Sequence, residues 1–265
     1  MRKILVWDLP VRLTHWLLAV LVLGAFALAN LASDESVVFA LHAVAGLIAL
    51  FVIALRSVWG VVGTRWARFR AWPLRPSALV RYLRGVFSDR ASEAGVGHNP
   101  ATSWFALAVF VGIAGLGVTG FLAARGNEAA EEVHELLAWS VIGLVVLHVA
   151  GVLLHVARRR ENLVATMITG RRAGAEVAGI PSARAGVASV FLVLAVAFGA
   201  LLLSGLDVRQ RRLTLPFIGT SLALGESERE DASKRSTSSD ARAASASDET
   251  RADDHDDDDE NEDDD

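Results

Sequence analysis

Three of the chain's 7 histidines, His134, His148 and His155, lie in one apolar run from Val133 to Arg160, and the chain contains no cysteine. About 20 apolar residues suffice to cross a bilayer as a helix, and segments that face lipid rarely carry an ionisable group. His134 and His148 are fourteen residues apart. At about 100° per residue both rings leave the same side of a helix, and at about 1.5 Å per residue they stand roughly 21 Å apart along its axis. Two imidazoles on one face, one near each membrane surface, is how a helix would ligate two stacked haems. Without cysteine, disulfides, thiolate zinc sites, iron–sulfur clusters and covalent c-type haem attachment are excluded. Any haem here is therefore non-covalent.

Such a helix needs partners from other crossings. Apolar runs occur at residues 13–32, 37–58, 104–124 and 133–157, with a fifth at 186–206, in a chain that is 52% hydrophobic. The first run follows Arg2 and Lys3 and contains Ala27-Leu28-Ala29, the outline of a cleaved signal. Its length and His15 argue for a retained span. Glycines Gly112, Gly115, Gly117 and Gly120 in the third span allow close approach of a helix or a flat cofactor.

Charge sets the expected orientation. Residues 1–225 carry 21 basic and 12 acidic side chains, whereas residues 226–265 carry 5 and 18. The N-terminus, the second-to-third loop and the fourth-to-fifth loop are rich in arginine, and the other two links are short and acidic. The positive-inside rule then predicts a cytoplasmic N-terminus and, with five spans, an external C-terminus. Arg209, Arg211 and Arg212 run against this rule. The tail at 226–265 cannot bury enough apolar surface to fold and is expected to be disordered. Its negative charge suits electrostatic capture of a basic partner. Residues 213–224 are apolar but too few to cross, and read as interfacial. Residues 161–174 read as a surface helix. No nucleic-acid partner is expected.

The histidines can now be sorted by depth. His42 lies about five residues, or 7.5 Å, inside the outer end of its span, and His134 begins its own span at that end. His15 lies about 27 Å from the outer end, roughly 20 Å below His42, which nearly equals the His134–His148 rise. Four histidines thus resolve into an outer pair, His42 and His134, and an inner pair, His15 and His148. A single membrane histidine is as well explained as a hydrogen bond between helices; four at two matched depths are not. A zinc or proton path would need carboxylates inside the spans, and Glu135 stands at an end. His155 is an alternative inner ligand, stretching the spacing from His134 to about 31 Å, and reads better as interfacial. His98, in Gly97-His98-Asn99-Pro100, reads as a turn histidine.

Several separated motifs occur in an order that resembles the bacterial di-haem cytochrome b561 family, which includes the cytochrome b subunits of nickel–iron hydrogenases. They are VWDLPVRLTHW at residues 6–16, GHNP at 97–100, TGF at 119–121, and HVAGVLLHVARRRENLVATMITGRR ending at Arg172. The resemblance covers about residues 4–175. It implies an all-α, integral membrane four-helix bundle over residues 1–175 holding two haem b groups, with the family's ligand positions falling on His15, His42, His134 and His148. To this the chain adds residues 176–225 with the fifth transmembrane helix, and the acidic tail. The family moves electrons between a periplasmic redox partner, such as a hydrogenase, dehydrogenase or cytochrome c, and membrane quinone, in the bacterial inner membrane. Arg12, near the inner level, and Arg125, which breaks the acidic trend of its link, are candidate partners for haem propionates, since guanidinium pairs bidentately with carboxylates. Arg56, at the inner end of the second span, is a second candidate for the inner propionates, and reads more readily as an ordinary positive-inside arginine. The competing readings are a self-contained quinone oxidoreductase acting on a small external substrate, and a haem-free transporter or scaffold.

Overall fold

Asp8 decides where the first membrane helix begins. Its Oδ1 accepts from Val11 N–H at 2.9 Å, capping helix α1, Leu9–Leu31. An acceptor side chain just before the first turn satisfies a donor that no helical carbonyl can reach. The helix therefore starts four residues before the apolar run and includes Arg12. The same logic sets other starts. Asn99 accepts from Thr102 N–H at 2.8 Å and Thr102 Oγ1 accepts from Asn99 N–H at 3.2 Å, a reciprocal cap with Pro100 in the first turn of α4, Pro100–Ala123. Asn127 caps α5, Glu128–Arg159, and Asn162 caps the short α6, Leu163–Thr169.

The computed structural model describes residues 3–31, 37–87, 97–173, 178–210, 212–216 and 219–224. The expected acidic turn at 33–36 and the tail at 226–265 lie outside the described residues. The remaining helices are α2, Val37–Val62, the amphipathic α3, Pro76–Phe87, and α7, Ala185–Ser204. Five helices, α1, α2, α4, α5 and α7, are long and apolar enough to cross a membrane. The fold is that of an all-α membrane bundle. Helix α1 packs along α2 and α4 along α5; α2 also meets α4 and α7, and α3 lies against α4. Outward-facing valines and leucines such as Val20, Val61, Leu147 and Val193 remain exposed, as a lipid-facing surface requires.

Small β elements tie off the ends. Strand β1, Lys3–Leu5, pairs antiparallel with β2, Arg171–Ala173. Gly170 ends α6 at φ 76, and its carbonyl accepts from Val6 and Trp7 N–H at 2.8 and 3.1 Å. A side chain at Gly170 would press on Trp7 as well as strain the backbone. At the other end, β3, Leu206–Asp207, β4, Arg212–Thr214, and β5, Ser221–Ala223, form an antiparallel meander. Its Leu213, Leu215, Leu222 and Leu224 are buried against Leu202 of α7 and Ala40 and Val44 of α2. In this β-cap the leucines of β4 and β5 and their flanks thus pack on the bundle. Leu213 and Leu222 face each other across β4 and β5 and turn to the helices.

Asp8 also joins α1 to the far end of α2. Its Oδ2 accepts from Trp59 Nε1 at 3.0 Å and from Thr64 Oγ1 at 2.5 Å, and the side chain is 0% exposed. Replacing Asp8 by alanine removes a cap, costing about 1 kcal/mol, and strands two buried donors at about 1–3 kcal/mol each. The thermal midpoint of the detergent-solubilised protein should fall sharply for Asp8→Ala and less for Asp8→Asn, which keeps an acceptor. Equal losses in the two variants would contradict the capping role.

Candidate haem-binding site

Four histidines from three helices face one another in two pairs. His42 of α2 and His134 of α5 have ring centres 6.0 Å apart, with planes at 80°. His15 of α1 and His148 of α5 have ring centres 6.5 Å apart, with planes at 64°. The first pair lies toward the β-cap end of the bundle. The second lies toward the arginine-rich end, where α1 begins and α2 finishes. Metal–imidazole nitrogen bonds are about 2 Å long, so two imidazoles clamping one metal hold their centres roughly 6 Å apart. Both pairs fit that requirement. Among the described residues no group of three or more His, Cys, Asp or Glu side chains converges on a metal position. Pairs suit an iron whose other four positions are filled by a porphyrin.

Hydrogen bonds fix the tautomers of the first pair. His42 Nδ1 lies 2.8 Å from the Ala25 carbonyl, which can only accept. Nδ1 therefore carries the proton, and Nε2 keeps its lone pair. His134 Nδ1 lies 3.1 Å from Thr119 Oγ1, which is 2.9 Å from the Gly115 carbonyl. The hydroxyl gives its proton to Gly115, so it accepts from Nδ1–H, and His134 Nε2 is again the unprotonated nitrogen. An outer hydrogen bond of this kind orients a ligating imidazole and raises its basicity. The second pair is held by ring contacts instead. Phe105 stacks on His148 at 4.4 Å and 12°, and Trp16 meets His15 edge-on at 5.3 Å.

There is room beside these rings. Gly46 follows His42 by one turn and Gly151 follows His148 by three residues, so each shares its histidine's side of the helix. A Cβ at either would meet nothing within 4 Å. The α4 glycines serve helix approach: a Cβ at Gly112, Gly115 or Gly117 would meet Val141, Leu137 or Leu50. At Gly120 it would come within 3.0 Å of His134 Cε1. That glycine lets α4 come close enough for Thr119 to reach the imidazole.

The remaining candidates have definite surroundings. Arg12 donates through Nε to the Met167 carbonyl at 3.3 Å and through Nη2 to the Ile168 carbonyl. It therefore binds α1 to the C-terminal end of α6. Arg125 lies over the Phe121 ring, 5.8 Å from its centre. His155 faces Glu161 at 3.4 Å, and Glu161 accepts from Arg172 at 2.5 and 2.9 Å. Those hydrogen bonds hold the Glu161 carboxyl below its usual range. His148, not His155, is the α5 imidazole opposite His15.

Two buried groups escaped the sequence reading. Asp8 is one; its place before Leu9-Pro10 is a capping signal hidden by the interest of the later His15. His98 is the other. It is no simple turn residue, for its ring lies against Trp7 at 4.8 Å and Trp72 at 5.5 Å. The indoles come from distant parts of the chain, so no local pattern announces the contact.

The chain belongs to the prokaryotic cytochrome b561 family, which it matches over residues 6–170. It is accordingly a membrane b-type cytochrome of electron transfer, and binding b-type haem is a property of that family. Helix α7 and the β-cap lie beyond the matched residues. No curated protein and no solved structure matches the chain.

Burial, aided by the charge of Arg56, pushes the His98 imidazole down to about 4 from its ordinary 6.5. The unfolded chain therefore binds more protons than the folded one between those values, and stability rises with pH across that window. Stability from neutral His98 is fully present above pH 6.5 and is lost as the pH falls through about 4. The thermal midpoint of the wild type should drop over this range, with a shallower slope in His98→Asn. Identical slopes would contradict the burial of a neutral imidazole.

Proposed function

We propose that the chain carries two non-covalent haem b groups, one clamped by His42 and His134 and the other by His15 and His148. Electrons pass along them between a periplasmic redox protein and membrane quinone. The observation that carries this reading is the pair of facing imidazoles at each of two levels, with centres 6.0 and 6.5 Å apart. Bound haem supplies reversible one-electron chemistry that no side chain here can provide.

The chain's own residues do the rest. His134 and His148 leave one face of α5 about 21 Å apart along the axis, which gives the bundle one cofactor level near each surface. Ala25 and Thr119 present the Nε2 atoms of His42 and His134. Arg125 and Arg12 are the cations assigned to propionates, Arg125 beside Phe121 and Arg12 through a guanidinium it shares with the α6 carbonyls. The arginine-rich links give a cytoplasmic N-terminus in the bacterial inner membrane. With five crossings the acidic tail at 226–265, carrying 18 acidic and 5 basic residues, is periplasmic. There it attracts a basic face of the redox partner, such as a cytochrome c, hydrogenase or dehydrogenase, and loses that attraction at high salt. The protein is an electron-transfer subunit in this reading, with the redox partner supplying the substrate chemistry.

Single alanine replacements test the pairing. His42→Ala and His134→Ala should remove the same component of the reduced-minus-oxidised spectrum, and His15→Ala and His148→Ala the other. If His42→Ala and His148→Ala lose the same component, the pairing is wrong. Thr119→Val should raise the potential of the component lost in His134→Ala, because its imidazole becomes a weaker donor. The other component should stay where it is. A shift in both, or in neither, would sever Thr119 from the ligand set.

A further inference from the structure

We propose that Arg56 anchors a propionate of the haem held by His15 and His148. This rests on the ligand assignment above and extends it to a residue outside that set. Arg56 lies in a membrane-spanning helix and is 6% exposed. One guanidinium nitrogen, Nη2, donates to the Ala67 carbonyl at 3.1 Å, and the guanidinium carbon lies 5.9 Å from the centre of the Phe69 ring. The other terminal nitrogen, Nη1, is buried with no hydrogen-bond partner. A buried charged donor left unmet is among the costliest defects a fold can carry, and inside a membrane it marks a binding role by default.

The depth of Arg56 identifies what it meets. The hydrogen bond from Trp59 to Asp8 sets the two helices level at those residues. Arg56 lies three residues along α2 from Trp59, about 4.5 Å, and His15 lies seven residues along α1 from Asp8, about 10.5 Å. The guanidinium-bearing residue is thus roughly 6 Å nearer the arginine-rich surface than the inner imidazole level. Propionate arms extend from a porphyrin ring edge, and this is the side on which anions find positive charge.

Other partners are already taken. Asp8 is the carboxylate whose charge reaches Arg56, yet its oxygens accept from Val11, Trp59 and Thr64. Arg12, at similar depth, gives Nε and Nη2 to the α6 carbonyls and has only part of its guanidinium for a propionate, so a second cation is left for the other carboxylate. A second orphaned donor sits in the same cluster. The indole Nε1 of Trp72 is buried without a partner, and its ring lies 5.0 Å from Phe69. A carboxylate has two oxygens to offer such a set. The competing arrangement is a water between Arg56 Nη1 and the unpartnered Nε2 of His98.

The test reconstitutes the full chain with iron protoporphyrin IX or with its dimethyl ester, which lacks the propionate charges. Wild type, Arg56→Gln and Arg56→Lys are compared by haem retention and by spectroelectrochemical titration. Arg56→Gln should lower the potential of the component lost in His15→Ala, or weaken its retention by at least about tenfold, the scale of a charge-assisted hydrogen bond. The second component should be unaffected, and Arg56→Lys should recover part of the loss. With the ester, wild-type retention of that component should fall as it does for Arg56→Gln with the free acid, and Arg56→Gln should add no further loss of retention; the potential should instead rise, because the ester removes negative charge beside the iron. Additive losses of retention from ester and variant, or equal shifts of both components in Arg56→Gln with the free acid, would overturn the proposal in favour of the water. The ester comparison needs no ligand assignment. Retention of both haems in His15→Ala would therefore refute the pairing while still leaving Arg56 tested. Should Arg56→Gln fail to fold, Arg56→Lys completes the same cycle, and an undiminished ester penalty there overturns the proposal.

Discussion

An imidazole in hydrocarbon must do something with both of its nitrogens. Leaving a polar atom bare in such a medium costs several kcal/mol, of the order of 2–7, so a ring in a membrane bundle is either hydrogen-bonded, ligated or displaced toward water. In this protein His42 and His134 each use Nδ1 on Ala25 or Thr119, and their ring centres stand 6.0 Å apart. The ring separations of 6.0 and 6.5 Å are too long for a hydrogen bond between imidazoles and suit a shared metal. The small residues of α4 bring it close to α5, and Gly120 in particular lets Thr119 reach His134.

The helices are held in register from their ends, because apolar faces alone slide easily past one another in lipid. At the arginine-rich end, Asp8 joins α1 to Trp59 and Thr64, while β1 and β2 fasten the N-terminal strand to the segment after α6. At the other end the leucines of the β-cap lie against Ala40 and Val44, which flank His42 on α2. Helix α7 reinforces both ends, through Phe191 near Trp59 and Phe198 stacked on Phe51 at 4.5 Å. Helix α7 and the β-cap are thus built onto the helix that carries His42, and brace the part of the chain that matches the family.

The helical crossings and the two histidine tiers were legible because both depend on single-helix periodicity, which is printed directly in the spacing of residues. His134 and His148 needed only the pitch of a helix. Other features were hidden because they depend on contacts between remote segments. Asp8 has its partners Trp59 and Thr64 at sequence separations of 51 and 56, beyond the reach of any local pattern. His98 sat in a turn motif whose Asn99 and Pro100 do start a helix, yet the burial of its ring comes from Trp7 and Trp72. Arg56 had the composition of a positive-inside arginine, and only its burial with an unmet nitrogen separates it from Arg65 or Arg70. The β-cap showed in the sequence only as a short apolar piece, because the surface its leucines cover belongs to α2 and α7.

The central claim is that each chain offers two bis-imidazole positions and fills both with haem b. Pyridine haemochrome quantification of the purified protein, combined with low-temperature electron paramagnetic resonance of the oxidised form, measures it directly. The account predicts two b haems per polypeptide, both low-spin, because histidine occupies both axial positions of each iron. A single haem per chain, none at all, or a high-spin signal from an iron with an open axial position would contradict it.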